Sequence, residues 1–564
     1  PMLLPTVALA QPPVPPPAQD LIGRTAPVEP PRLSAPVAAP PAEAVRGPGE
    51  GQTVAIVAVA ISGNTALPEA ALLPRVSDLA GQTVPLARIE QARLALLAAY
   101  RSAGFVFTAV AAGLSPAPGG ATLRFVITEG YVAEVRLEGD IGPAATQVLR
   151  FLEPLRELRP LRAADLERAL LLVSDVPGVA VRGLLRPLPG EAGALQLVAQ
   201  LSRNPVTGYI GVDNRAYRLT GPLQVIGVAG WNAASEFGER TEIALYDAEG
   251  ERQLFGQLSL EAFLGGSGLR LRGFAGAGRA QPGGTLAQIG YTGETRTAGL
   301  VLAYPVIRSR PMNLNVGLQL DAFESLVFTG AGANRVRASR DVTHAVRLNL
   351  DGALLDDWLG LGLPAINIAS LRLSRGIPGF GASANDADGV ARFGSRFDFR
   401  RIQGEIQRTQ PLFSPFQDAV VSVQALFAGQ WSDRVLPPSE KFYLGGNRLG
   451  RGFYSGQVTG DNAIATALEL QLDLRPEFSD VTFGLVSVPT QVYAFYDWGR
   501  TFENNTDPNR RVASYGGGVR LTINRAVQID FEAVRRITRR VDAGGPAADP
   551  LRNLGYYGRV LVRF

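Results

Sequence analysis

The chain has 564 residues, 64 glycines, 41 prolines, no cysteine and a single histidine, with 19% of residues charged, a mean hydropathy of +0.08 and a formal net charge of +4. Disulfides, thiolate metal sites, cysteine nucleophiles and paired-histidine zinc motifs are therefore excluded, and no metal or other cofactor is expected. All basic residues but Lys441 are arginine, yet so small a net charge, with no basic patch interleaved with aromatics, gives no footprint for nucleic acid.

The first ten residues, ending Ala8-Leu9-Ala10, read as the remnant of a signal peptide, a short apolar stretch before an A-x-A site. Residues 11–51 carry twelve prolines from Pro12 to Pro48, which favours a polyproline leader or linker, with at most two helical turns in Ala18–Thr25. At Gln52 the pattern changes. Thr53–Ser62 reads as a strand closed by Gly63-Asn64, and a helical segment follows near Pro68–Asp78. Pro85–Ala103 places Ile89, Ala92, Leu96 and Tyr100 on one helical face, with Gly104 as its stop. Phe105–Ala112 and Ala121–Thr128 read as strands that end at Glu129-Gly130. The same β-α-α-β-β order then recurs: strand Val132–Leu137, turn Gly139-Asp140, helices Ala144–Leu152 and Ala163–Ser174, strands Gly178–Leu185 and Ala194–Ser202. This is an internal repeat of two α+β units, 52–130 and 131–204.

From Pro205 onward period-2 alternation dominates, as in Leu254–Ala262, Leu269–Ala277, Val346–Asp351 and Val527–Ala533. In Leu468–Arg475 the leucines at 468, 470, 472 and 474 oppose Glu469, Gln471, Asp473 and Arg475. No apolar run reaches the ~18–20 residues of a membrane helix. Residues 205–564 lack sequence for a covering helical layer, so the strands are expected to close into one transmembrane antiparallel β-barrel of about 16 strands. The last strand supports this: Tyr556, Gly558, Val560, Val562 and the terminal Phe564 share a face, which resembles the C-terminal strand of bacterial outer-membrane barrels. The fold class is thus multidomain, two α+β units before a barrel.

No nucleophile elbow, Walker loop or dinucleotide fingerprint is present, so an enzyme is not expected. Asp356-Asp357 reads as a solvated loop, and His344 as a strand-end or lumen residue. One stretch breaks the strand pattern: residues 443–464 (YLGGNRLGRGFYSGQVTGDNAI), glycine-rich and irregular, reads as a long loop of the kind barrels carry at their surface. Within it Arg451-Gly452-Phe453-Tyr454 resembles the R-G-[FY] motif on the loop of Omp85-superfamily barrels that folds back into the lumen, which implies that residues 443–464 fold inward. Phe495-Tyr496-Asp497-Trp498-Gly499 is similar to that superfamily's aromatic-x-Asp-x-Gly pattern. The two α+β units resemble POTRA domains, with Gly63-Asn64-Thr65 and Tyr100-Arg101-x-Ala103-Gly104-Phe105 typical of the first. Two such units before one barrel resemble the two-partner secretion transporters, the TpsB group. Gly450 stands where that group often has valine.

The resemblance implies an outer-membrane protein with periplasmic N-terminal domains. It would recognise an unfolded exoprotein through them and secrete it through the barrel without ATP. Its partners would be that TpsA-like exoprotein and outer-membrane lipid, with periplasmic chaperones and the barrel-assembly machinery in its biogenesis. The cargo would dock by strand addition to an edge, Phe105–Ala112 or Gly178–Leu185. Arg451 is expected to fork onto Asp497, with Phe495 and Gly499 beside it. In a wet lumen such a latch would give only about 0–1 kcal/mol, and more if partly desolvated. Arg270, Arg272, Arg347 and Arg520 are expected in the lumen, either biasing transit toward acidic segments or simply as solvated lining. The alternative reading is a factor that assembles other outer-membrane proteins. A passive porin would have no use for residues 52–204.

Overall fold

The computed structural model describes residues 33, 52–474, 477–480, 484–523, 526–541 and 550–564. The signal remnant and, apart from Leu33, the proline-rich leader lie outside them.

The first unit is a four-stranded sheet in the order β2-β1-β4-β3, built from β1 (Thr53–Ser62), β2 (Gln82–Pro85), β3 (Ala109–Ala117) and β4 (Gly120–Thr128), with β1 and β4 parallel. Helix α1 (Glu69–Leu72) runs into two short 3-10 turns, because Pro74 cannot donate within a continuous helix. Helix α2 (Leu86–Ser102) buries Ile89, Ala92, Leu96 and Tyr100 against Ile56, Leu123 and Phe125, the face its spacing predicts. The short edge strand β2 was not legible as a strand. The strand expected at Phe105–Ala112 begins four residues later: Phe105 turns inward onto Tyr100, ring centroids 6.2 Å apart, and Thr108 N–H closes a turn on the Phe105 carbonyl.

Glu129 ties the unit's two ends together. Its carboxylate accepts from the Thr65 and Ala66 amides, both at 2.8 Å, from the Thr65 hydroxyl, and from the Tyr100 hydroxyl at 2.7 Å. Burial disfavours its charge, but these four donors outweigh that and hold the carboxyl below its ordinary value. Burial and the neighbouring carboxylate push the Tyr100 hydroxyl up.

The second unit has β5 (Tyr131–Glu138), β6 (Val179–Pro187) and β7 (Ala194–Arg203) in the order β5-β7-β6, under α3 (Ala145–Leu152) and α4 (Ala163–Ser174). Its core of Val148, Phe151, Leu172 and Leu197 continues into Ala233 and Phe263 of the following region. Phe151 meets Phe263 edge to face at 5.3 Å. Polar contacts complete the joint: Arg308 forks onto Asp175 at 2.7 and 2.8 Å, Glu167 accepts from the Arg310 amide, and Gln147 donates to the Gly265 carbonyl.

The rest is a closed antiparallel barrel of sixteen strands. In chain order they are β8 (Val206–Asp213), β9 (Gln224–Asn232), β10 (Arg240–Ala248), β11 (Gln253–Phe263), β12 (Arg270–Ala280), β13 (Thr292–Arg308), β14 (Met312–Thr329), β15 (Val336–Asp356), β16 (Ala365–Gly376), β17 (Arg400–Phe413) and β18 (Ala419–Trp431). After a small hairpin of β19 (Phe442–Leu444) and β20 (Val458–Gly460) comes β21 (Asn462–Leu474). A second hairpin, β22 (Glu477–Asp480) and β23 (Gly484–Ser487), precedes β24 (Thr490–Phe502), β25 (Arg510–Ile523), β26 (Val527–Arg536) and β27 (Leu554–Arg563). The sheet closes where β27 pairs with β8, Arg559 opposite Asp213. No described helix is long and apolar enough to cross a membrane, so the strands carry any crossing. Their alternation has the sign a lipid-facing exterior requires: Leu468 and Leu470 are 47% and 53% exposed, whereas Glu469 and Gln471 are 3% and 5%. The barrel end that carries the second unit is called proximal below, the other distal.

Two expectations change. His344 lies well inside β15, on the outward parity of Val346 and Leu348, rather than at a strand end or in the lumen. Asp356 is the buried last residue of β15, paired with Arg408 at 2.8 Å, while Asp357 caps the turn beyond it. The pair is split between strand and turn because β15 runs further than its apolar pattern suggests.

Candidate functional site

The inward loop spans residues 432–461, between β18 and β21. It begins earlier than residue 443, and residues 462–464 belong to β21. It starts at the distal end and folds into the lumen. The β19–β20 pair gives it a spine, and Phe442, Leu444, Phe453 and Val458 give it an apolar core with Ala465 and Val512 of the wall. Gly450, at φ +71, turns the chain so that Arg451 points at β24.

Arg451, 3% exposed, reaches Asp497, which is fully buried. Its guanidinium forks onto the carboxylate, Nη2 to Oδ1 at 2.8 Å and Nε to Oδ2 at 3.1 Å, and its amide donates to Oδ2 at 2.7 Å. Nη1 donates to Glu469 on β21, and the guanidinium carbon lies 3.7 Å from the centre of the Phe495 ring. Glu469 is shared with Arg520 of β25 at 2.7 Å and accepts from Gln471. The seat is therefore an ionic cluster of four groups, with Arg451, Asp497 and Glu469 buried and Arg520 at its edge, not a fork in a wet lumen, and the ~0–1 kcal/mol of an exposed pair does not apply to it. Removing one partner of a buried pair costs about 3–5 kcal/mol.

The other motif residues lock the loop's path. The Gly452 amide donates to Ser514 Oγ at 3.2 Å, and its carbonyl accepts from the Tyr557 hydroxyl at 3.0 Å and from Arg536. A Cβ on Gly452 would stand 2.6 Å from Ser514 Cβ, so only glycine lies this close to the wall. Phe453 is fully buried in the loop's core, and Tyr454 packs edge-on against Tyr557 at 6.2 Å. On β24 the parity of the second motif explains its spacing. Phe495, Asp497 and Gly499 all face inward, under the guanidinium, on its nitrogens and beneath Leu444, while Tyr496 faces outward at 43% exposure.

Sequence reasoning missed Glu469 and Arg520 as members of the seat. The signal existed: Glu469 shares the inward parity of Gln471 and stands opposite Phe495 in the β21–β24 register. Two further buried clusters hold the loop's flanks. Arg347 of β15 bridges Asp321 at 2.8 Å and Glu440 at 2.7 Å, and Arg401 joins Glu440. Arg392, from the distal loop 377–399, binds Asp461 and Glu503, the latter also paired with Lys441. Arg347 is therefore neutralised rather than solvated pore lining, whereas Arg520, its side chain 28% exposed, pairs with Glu469 and still lines the lumen cavity. Proximal to the loop a cavity of about 480 Å³ is lined by Arg451, Glu469, Gln471, Gln491, Glu532 and Arg563 among others.

Residues 193–521, more than half the chain, match the family described as haemolysin secretion/activation protein ShlB/FhaC/HecB. The chain belongs to this family. Residues 54–130 match the ShlB-type POTRA domain, so the first unit of this ShlB-family protein is a POTRA domain and the second repeats its order. The outer membrane transporter CdiB of Escherichia coli is 24% identical over 514 residues, covering 87% of this chain and 80% of the relative. The heme/hemopexin transporter protein HuxB of Haemophilus influenzae is 22% identical over 444 residues, covering 75% and 72%. The solved structure of Escherichia coli CdiB shares the fold at a TM-score of 0.70 and 20% identity, covering 94% of each chain. This ShlB-family member is an outer-membrane β-barrel transporter. Its N-terminal units face the periplasm, which makes the proximal end periplasmic and the distal end extracellular. Its relatives are transporters, not enzymes.

Proposed function

We propose that this protein secretes an unfolded exoprotein through its barrel, with Arg451 and Asp497 as the latch of a loop that must leave the lumen for transit. The observation that carries this reading is the seat itself. An irregular loop is held inside a barrel by side-chain ion pairs, hydrogen bonds and apolar packing on the wall, all of which break without unfolding a barrel strand. The two periplasmic units supply recognition. In each of them the second antiparallel strand, β3 and β6, lies at a sheet edge, where an extended chain adds by backbone hydrogen bonds whatever its side chains. The second unit is fixed to the periplasmic turns by Phe263, Arg308 and Gly265, so a docked chain is delivered at the barrel mouth. Folding of the cargo outside makes each advance irreversible, and no nucleotide is needed. The partners of this reading are the TpsA-like exoprotein, the lipid around the outward leucines, and periplasmic chaperones with the barrel-assembly machinery during biogenesis.

The test is secretion of a candidate TpsA-like exoprotein co-expressed in cells with the native protein, with none and with Arg451→Ala. The native protein supports secretion, and Arg451→Ala lowers it while the barrel still assembles. An unaltered yield from Arg451→Ala overturns the latch. Loss of many unrelated outer-membrane proteins on deletion favours an assembly factor instead.

A further inference from the structure

The seat of Arg451 is made by the wall, not by the loop that fills it. Asp497 and Phe495 belong to β24 and Glu469 to β21. Two carboxylates meet the edges of one planar cation, and an aromatic ring meets its face at 3.7 Å. This is the complement of a guanidinium: an ammonium has neither the fork nor the flat face. Much of the seat outlasts the loop's departure. Glu469 keeps Arg520 and Gln471, and Phe495 keeps its stacking on Tyr493, 6.3 Å apart at 27°. Asp497 is different. Among the described residues Arg451 is the cation paired with it, so a displaced loop leaves a carboxylate in the lumen wall without a counter-charge. The periplasmic-side cavity already opens on Arg451 and Glu469, and it runs past Gln471 and Gln491 to Arg563 near the mouth.

We infer that Asp497, Glu469 and Phe495 form an exchangeable guanidinium site, occupied by Arg451 at rest and by an arginine side chain of the polypeptide in transit while the loop is displaced. The inference rests on the reading that cargo threads the lumen. Exchange removes the main electrostatic obstacle to unlatching, because the wall never faces the lumen with Asp497 bare. It also makes arginine, rather than lysine, the residue at which a passing chain pauses.

The test uses the full-length protein in planar bilayers. Arg451→Ala is expected to flicker between current levels, and millimolar ethylguanidinium on the periplasmic side should suppress the flicker saturably. Ethylammonium and urea should not, and the double variant with Asp497→Asn should not respond. Arg451→Lys, which keeps a charge on the loop, serves if the alanine variant assembles poorly, and it should also favour ethylguanidinium. Equal effects of ethylguanidinium and ethylammonium, or a full response without Asp497, overturn the site. Exchange is read from an unfolded Gly/Ser peptide with one arginine, whose current blocks in the native pore should last about tenfold longer than those of its lysine twin. Equal dwell times overturn exchange alone. The secretion reading falls on a different result, loss of cargo export in cells.

Discussion

Asp497→Asn isolates the latch while leaving its volume almost unchanged. The carboxylate accepts from three N–H groups of Arg451, two of them on the guanidinium. Asparagine keeps one acceptor oxygen and turns an amide toward the second nitrogen. Each charge-assisted bond contributes about 1.5–3 kcal/mol, so the gross loss is about 3–6 kcal/mol. Glu469, shared with Arg520, still pairs with Arg451, which leaves a net cost of about 2–4 kcal/mol and raises the displaced population about 30- to 700-fold. The chain has no cysteine, so a single Ser455→Cys probe labels without background. Ser455 is 4% exposed beside Tyr454, and its thiol replacement reacts with a maleimide when the loop swings out. When closing is faster than labelling, the rate follows the open population. The expected result is labelling at least ~10-fold faster in Asp497→Asn than in the Ser455→Cys parent. A rate within threefold of the parent, in a barrel that still resists heat and detergent, refutes the assignment of the latch to this pair.

Three other outcomes follow from the same geometry. Gly452→Ala drives a Cβ to 2.6 Å from Ser514 Cβ and should weaken the seat by about 1–3 kcal/mol, read by the same labelling assay, with Ser514→Gly recovering only part of the loss because it removes the clash together with the Oγ that accepts from the residue-452 amide. Arg308→Ala removes the fork on Asp175 and should broaden spin-label distances between the second unit and the barrel, and lower secretion, without altering barrel assembly. Glu129 carries a pH dependence. Its folded pKa lies below the unfolded carboxyl value of about 4.3, so its contribution is complete at neutral pH. That contribution is lost as pH falls below about 4.3 and through the folded value. Hydrogen exchange at Thr65–Ala66 in the full-length protein should therefore loosen on acidification, and Glu129→Gln should be loose already at pH 7 and respond less to acid.

The barrel was legible because alternation is a local signal, with Leu468, Glu469, Leu470 and Gln471 declaring their faces within four residues. It also continues over residues 205–564 with no sequence for a covering helical layer, which separates it from the alternation of a soluble sandwich. Helix α2 was legible for the same reason at a 3.6-residue period. What escaped was set by tertiary context. Strand β3 starts at Ala109 because Phe105 packs on Tyr100, and β2 is four residues that only a neighbour makes a strand. The seat was half legible. Asp497 was found through resemblance to a motif, but Arg347–Glu440 and Arg392–Asp461 join residues 93 and 69 positions apart, with no period to announce them. Whether the latch at Arg451 is wet or desolvated was not legible: nothing local to a glycine-rich loop says that Arg451, Glu469 and Asp497 will all be buried together.

Transit through the lumen is the central claim, and neighbouring positions on β21 test it most directly. A photo-crosslinking residue is placed at Gln471, which faces the lumen, or at Leu470, which faces lipid, and the exoprotein is stalled by a tightly folded C-terminal tag. Cross-links from Gln471 to the stalled cargo, with few from Leu470, are the predicted result. Cargo that cross-links from Leu470 as readily as from Gln471, or from neither while export continues, contradicts passage through the barrel.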